Sequence, residues 1–427
     1  MTVSRKFSES AIKSVLQGKD PGELAVQLQM RTVDEFPLPP SLPRESVADQ
    51  PSQETRLRIL EGQGIRFEYL TGRKRVEDPG VFQSHIENYI GIAQLPVGAI
   101  GPLRINGVHA HGDFYVPLAT SEGALIASYN RGAKIASLSG GVRAFCLTER
   151  VSRAPGFLFA DLIQAGEFIV WVIRHFENLR EEAQKTTTHG HLEDMKVTLE
   201  GNHVFLHFEY TTGDAAGQNM VTIATEAACR FIVAKCPVKP KLWFVESNMS
   251  GDKKATALSF LSVRGKKVIA ETVIPRNLIK RMLHTTPEMM MEYWKMSFVG
   301  GVQTGSIGVQ GHYANGLAAM FIACGQDAAC VAEASVGLTR LDLDDNGDLY
   351  ISVSLPNLIV GTIGGGTGLP TQKECLAMLG CTGSGSARKF AEICAAVALA
   401  GEISIMGALS SGQFTQAHIK YGRKTKK

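Results

Sequence analysis

Asp327 stands in the middle of HYANGLAAMFIACGQDAACVAEA, a stretch from His312 to Ala334 that is small or apolar on almost every side. The pattern predicts a helix apolar all round, which belongs inside a core. An unpaired carboxylate there costs on the order of several kcal/mol, so Asp327 must be paired, protonated or lining a cavity that a substrate enters. An acid bonded to backbone or to a structural arginine satisfies the same pattern. Candidate partners sit in other segments. Glu122 lies between Ser121 and Gly123 at the mouth of a small-residue helix, where a carboxylate either caps the helix or faces a ligand. Lys253 and Lys254 are adjacent in a glycine-containing loop, SNMSGDKKATALSF, and Lys295 falls in the helical pattern EMMMEYWKMSF. Such lysines are ordinarily solvated, and either one alone carries little weight.

A second chemistry is suggested by glycine. TTGDAAGQNM puts Gly213, Asp214 and Gly217 at a strand-to-helix turn whose free amides suit a pyrophosphate, or which merely caps the helix. Glycines cluster again in GTIGGGTG, where backbone must approach something closely. No GxGxxG follows a strand and opens a helix, so any nicotinamide cofactor would have to be held by other means. DLDDNGD places Asp342, Asp344, Asn346 and Gly347 as a calcium loop would, yet the twelfth position is Val353 and the strand-like LYISVSL surrounds it. We read it as a hairpin turn and expect no metal.

The elements that must position these groups follow from pattern and composition. The chain has 427 residues, 44% hydrophobic and 20% charged, with a formal charge of +3 too small to argue for nucleic acid. Its longest apolar run, Ile393 to Gly401, is bounded by Glu392 and Glu402 and is too short to span a bilayer, so no membrane partner is expected. The N-terminus shows no apolar signal region, which predicts a cytoplasmic protein. Eight cysteines at irregular spacings form no CxxC pair and read as reduced, buried thiols. Between Gly156 and Ser247 the pattern runs strand, helix, strand, strand, helix, strand, the βαββαβ order of ferredoxin-like domains. The expected fold is therefore α+β, with three parts: a peripheral N-terminal helical segment over 1–88, a large mixed α/β domain over 89–155 and 248–427 with a buried central helix, and the ferredoxin-like unit inserted at 156–247. SFLSVRGKKVIAETVI reads as a hairpin following that unit.

Together, ENYIGIAQLPVGAIGPL, SEGAL, DKK, GQDAA and AHIK resemble, in order and spacing, the 3-hydroxy-3-methylglutaryl-CoA (HMG-CoA) reductases. The resemblance runs from Glu87 to the C-terminus and is closest to the class of animals, plants and archaea (class I), without the animal membrane domain. It implies an NAD(P)H-dependent four-electron reduction of HMG-CoA to mevalonate and coenzyme A, feeding isoprenoid synthesis. Glu122, Lys253, Asp327 and His418 would form the catalytic set. Ser128, Arg153, Asn248, Lys254, Lys295 and Asn315 would contact substrate. The cofactor, expected to be NADPH with NADH an alternative, would meet Asp214, Gly217, Gln218 and Asn219 and the loop of Gly364, Gly365, Gly366 and Thr367. The implied assembly is a homodimer or a dimer of dimers with its site between subunits, so that Lys253 reaches Asp327 across the interface.

Three departures stand out. The family's usual DAMGMNM reads DAAGQNM, with Ala216 and Gln218 in place of two methionines. KTTTHGHLED offers Thr188, with His189 and His191 nearby, where NADPH-using relatives often place an arginine. Lys424 stands at the regulatory serine of animal and plant enzymes, and basic residues from Lys420 to Lys427 are candidates for the phosphates of CoA or for a solvated tail. A non-catalytic dimeric relative and a reductase of another acyl-CoA are the alternatives. The intact charged set argues against the first, and Arg153 and Lys295, suited to a distal carboxylate, against the second. Along one straight helix Asn315 and Asp327 would be ~18 Å apart, so they serve different ends of the site or the helix starts after Asn315.

Overall fold

The computed structural model describes residues 5–43 and 48–414. Ten strands join in one largely antiparallel sheet: β1 (Val97–Gly107), β2 (His111–Ala119), β3 (Val142–Arg153), β4 (Gly156–Leu158), β5 (His191–Glu200), β6 (His203–Thr211), β7 (Leu242–Phe244), β8 (Gly265–Ile274), β9 (Leu338–Leu343) and β10 (Leu349–Leu358). The path runs β7-β4-β6-β3-β8-β10-β9, with β5 on β6 and with β1 joined to β2 and, in parallel, to β3. Strand β3 links the two halves: Arg143 to Arg150 pair with β8, whereas Val151 to Arg153 pair with β6. Beyond it, β5-β6-β4-β7 are antiparallel neighbours. On the other side, β8 and β10 bury alternate residues, as period-two strands on a core should.

Thirteen helices are described: α1 (Arg5–Leu16), α2 (Pro21–Gln27), α3 (Gln50–Glu61), α4 (Leu125–Leu138), α5 (Leu162–Arg174), α6 (Phe176–Gln184), α7 (Gln218–Lys235), α8 (Arg276–Leu283), α9 (Pro287–Gln303), α10 (Tyr313–Ala323), α11 (Val331–Ala334), α12 (Pro370–Met378) and α13 (Ala387–Ser410). Helix α13 is the core. It is long and apolar enough to cross a membrane by composition alone, yet it lies inside this fold. Its two fully buried glutamates are held by backbone amides: Glu392 accepts from His109, Ala110 and Cys146, and Glu402 from Gly311 and His312 and from the Thr339 hydroxyl. Each interior carboxylate therefore meets donors aimed at it rather than water. Gly132 lets α4 cross α13 closely, since a Cβ there would stand 1.7 Å from the Ala400 carbonyl oxygen.

Four expectations change. The stretch from His312 to Ala334 is not one helix: α10 ends at Ala323, Gly325 turns left-handed at φ +67°, and Asp327 caps a short 3-10 turn, Ala328–Cys330, before α11. The long buried helix is α13 instead. SFLSVRGKKVIAETVI is not a hairpin but a 3-10 turn, Ala257–Phe260, followed by the single strand β8. The first long helix after β4 is broken at His175 into α5 and α6. Nor is the N-terminal segment merely peripheral. Buried Arg104 pairs with Asp113 at 2.8 Å and donates to the carbonyls of Arg31 and Phe36, and Glu374 accepts the amides of Glu68, Tyr69 and Leu70. The DDNGD run forms the turn between β9 and β10, its Asp344 accepting the Asn346 and Asp348 amides. All eight cysteines are free and buried.

Candidate active site

Asp327 owes its place to a contact between two glycines. A Cβ on Gly325 would stand 2.2 Å from the Gly366 carbonyl oxygen, so the turn after α10 and the GTIGGGTG loop touch backbone to backbone. The Gln326 carboxamide bonds to both the amide and the carbonyl of Gly361, locking the two segments together. From this clamp Asp327 points at Lys253, with Nζ 2.8 Å from Oδ2 and the two side chains 42% and 39% exposed. Burial pushes the Asp327 carboxyl up, but hydrogen bonds from Lys253, the Ala329 amide and Gln218 hold it below the usual carboxylate range. The same bond to Asp327 raises the Lys253 ammonium above its ordinary value against partial burial. Both groups are therefore charged across the neutral range.

Lys253 has a left-handed backbone at φ +56°, unusual for lysine. Buried charges hold it there. Its amide donates to Glu333 at 3.1 Å; Glu333 pairs with the buried guanidinium of Arg264, which also meets Asp252 at 2.7 Å. Arg153 completes the row, reaching Asp252 at 2.5 Å and Glu246 at 3.6 Å. Sequence reasoning assigned nothing to Asp252, Arg264 or Glu333. Glu333 lay inside the same apolar stretch as Asp327, which was a signal; Asp252 merely preceded the lysines, and Arg264 gave none.

The glycine-rich segments converge beside this pair. Helix α7 starts after Gly217, left-handed at φ +77°, with no side chain capping its first amides. Gly213, Gly364 and Gly365 are also left-handed and border open space. Gly361 packs on the backbone of Asp214 to Ala216, and Ala215 forms a bridge with Ile363. The Asp214 carboxylate itself turns to the start of α13, accepting the Gly385 and Ala387 amides at 2.6 and 2.9 Å. Asn219 is exposed, and the Thr367 hydroxyl bonds to the Gly364 carbonyl. Thr187 and Gly190 pack on Met220 in the first turn of α7, which carries the Thr188–His189 pair, 2.9 Å apart, to the same neighbourhood.

Glu122 lies elsewhere. It does not cap α4, whose preceding residue is left-handed Ala124, and its Oε2 accepts from Asn315 Nδ2 at 2.8 Å. Both line a cleft of about 1750 Å³ together with Ser128 and with residues of α3. Asn315 is in the first turn of α10, and Asp327 lies past the other end of that helix, about 12 Å along its axis at ~1.5 Å per residue. One chain thus brings Lys253 to Asp327 but sets Glu122 at the opposite end of α10. The expectation that Lys253 crosses an interface to reach Asp327 gives way to contact within the chain. Ser128 bonds to Ser404 at 2.9 Å, Lys254 to the Asp252 carbonyl, and Lys295 to Glu292 one turn away. Asn248, left-handed at φ +65°, opens the turn leading to the lysines. His418 and the basic tail fall outside the described residues, among which no His, Cys, Asp and Glu cluster could hold a metal.

Residues 52–423 match the family model described as hydroxymethylglutaryl-coenzyme A reductase. Curated relatives include the 3-hydroxy-3-methylglutaryl-coenzyme A reductases of Pyrococcus abyssi, 42% identical over 87% of this chain and 92% of that protein, and of Aeropyrum pernix, 45% identical over 80% and 83%. Among solved structures, the class II enzyme of Streptococcus pneumoniae bound to NADPH has a TM-score of 0.66 at 20% identity, covering 83% of this chain and 96% of the other. That last likeness bears on the fold alone.

The glycine clamp has a measurable cost of disruption. Gly213 and Gly325 both have positive φ, but only Gly325 faces another backbone. Gly213→Ala should therefore lose about 1–2 kcal/mol from the left-handed conformation alone. Gly325→Ala should lose distinctly more, read by chemical denaturation of both variants; equal losses would mean that the clamp is not tight.

Proposed function

Because the chain belongs to the hydroxymethylglutaryl-coenzyme A reductase family, we propose that it reduces HMG-CoA to mevalonate and coenzyme A with two equivalents of NADPH. The observation that carries this reading is the Lys253–Asp327 pair at 2.8 Å, fixed beside glycine-lined backbone. The uncapped first turn of α7 and the left-handed glycines bordering open space fit a dinucleotide pyrophosphate, with Gly217, Gln218 and Asn219 on one side and Gly364 to Thr367 on the other. A reduced nicotinamide bound there supplies one hydride in each of two steps. The Lys253 ammonium stabilises the oxyanion that each step develops, and Asp327 keeps that ammonium charged and in place. Glu122 delivers the proton to oxygen, with Asn315 orienting its carboxyl. His418 protonates the thiolate as the carbon–sulfur bond breaks and an aldehyde remains. Arg153, Lys254, Lys295, Asn248 and Ser128 serve the substrate, Arg153 by exchanging part of its pairing with Asp252 and Glu246 for the distal carboxylate. Asp214 acts for the cofactor indirectly, by tying the DAAGQNM turn to the start of α13.

The separation of Glu122 from Lys253 in one chain supports a homodimer whose site takes Glu122 from one subunit and Lys253–Asp327 from the other. A two-fold axis can bring opposite ends of α10 face to face. The exposed apolar ribbon of Tyr89, Ile90, Ile92 and Leu95 offers surface for that contact. Residues 156–247, with strand order β5-β6-β4-β7, are on this reading a ferredoxin-like cofactor domain; 89–155 and 248–427 hold substrate and the dimer contact. The archaeal relatives favour class I. Eight buried free thiols suit a reducing cytoplasm.

Loss of absorbance at the reduced nicotinamide band, with HMG-CoA and either cofactor, tests the activity. Two NADPH should be consumed per HMG-CoA, with higher kcat/KM than for NADH; no consumption with either refutes the reading. Lys253→Ala should keep its fold and lose about 10²–10³-fold in kcat. His418→Gln should impair thioester reduction while sparing the aldehyde.

A further inference from the structure

One side chain in the cofactor turn reaches the Lys253–Asp327 pair. Gln218, the first residue of α7, directs its Nε2 to Asp327 Oδ2 at 3.3 Å and to Cys330 Sγ at 3.0 Å, and its Oε1 accepts from Arg264 Nη2 at 3.3 Å. The carboxamide can be oriented only one way. A guanidinium only donates and a carboxylate only accepts, so a flipped amide would set NH2 against Arg264 and oxygen against Asp327. Both amide hydrogens and the carbonyl are thereby engaged. The Gln218 main-chain carbonyl in turn accepts from the Thr222 hydroxyl and from Arg153 Nη2, which fixes the turn that carries the side chain.

We propose that Gln218 is a positioning residue that anchors Asp327 to the buried Arg264 and, by donating to the carboxylate, lowers the pH at which the Lys253–Asp327 pair forms. The inference rests on the reductase reading and deepens it, because the residue that opens the cofactor helix also orients the acid beside the catalytic lysine. Asp327 meets Lys253, Gln218, the Ala329 amide and the neutral thiol of Cys330; behind these stand Arg264, Glu333 and Asp252. A donor to the ionised carboxylate favours its charged form, so removing that donor moves protonation of Asp327 to higher pH. Lys253 then loses its partner at a pH where the native enzyme keeps it.

The test compares pH profiles of kcat, at saturating HMG-CoA and NADPH, for the native protein and for Gln218→Met, which keeps side-chain length without a donor. The acid limb should move to higher pH. Gln218→Glu keeps an acceptor for Arg264 but turns a like charge to Asp327, so it should move the limb up as well and serves if the methionine variant folds poorly. An unmoved limb with a raised KM for NADPH would make Gln218 a cofactor contact only; an unmoved limb with kcat lowered equally at every pH would make it structural. Either overturns the proposal. A readout without turnover keeps this separate from the activity itself: a thermal cycle of Gln218→Met, Asp327→Ala and the double variant. The loss in Tm of the double should fall short of the sum of the singles, and strict additivity would overturn the coupling even in an enzyme that proved inactive on HMG-CoA.

Discussion

The candidate site depends on a place where two backbones meet with no side chain between them. Gly325 and Gly366 approach so closely that a methyl group on either would strike the other's chain, and Asp327 stands two residues beyond that contact. Helix α10 ends there because Gly325 takes the left-handed conformation, and the acid consequently sits at the head of a short turn rather than inside a helix. An acid left inside the helix would face apolar packing on every side. Released from it, Asp327 is half exposed and within reach of Lys253.

The second constraint is electrostatic. Lys253 occupies a backbone region that lysine seldom adopts, and a row of buried charges from Arg153 through Asp252 and Arg264 to Glu333 holds it there. Such a row does not add much net stability, since desolvation of each charge offsets the attraction between them. Its consequence is geometric: removing Arg264 would leave Glu333 buried without its ion-pair partner. Helix α13 uses the same device without chemistry, with Glu392 and Glu402 each collecting backbone amides inside the core.

Periodicity made much of the fold legible. The alternation of strands and helices from Gly156 to Ser247 and the hairpin at DDNGD follow from local patterns that tertiary packing did not override. The break at Gly325 escaped because a single glycine inside an apolar run is compatible with a continuing helix until a neighbouring loop demands the space. Asp327 was legible as a charge inside an apolar run; Lys253, which reads as an ordinary solvated lysine, was singled out only by the family resemblance of DKK. Arg264 was not, since one arginine before a strand looks like any other until its neighbours in space are known. Gln218 was visible as a cofactor-contact candidate and as a departure from a motif, and its contacts give that departure a physical content. Glu122 appeared from sequence to be a neighbour of Asp327; the length of α10 keeps the two apart within one chain.

That separation defines the central claim, a site composed of Glu122 from one subunit and Lys253–Asp327 from its partner. Complementation between two inactive chains tests it most directly. Glu122→Gln and Lys253→Ala proteins, each impaired alone, are dissociated, mixed in equal amounts and reassociated before assay. If sites are shared, half of the dimers are mixed and each mixed dimer holds one intact site, so activity should recover to about one quarter of the native rate. If each chain forms its own site, every site keeps one lesion, and activity of the mixture no higher than that of the parents would contradict the account.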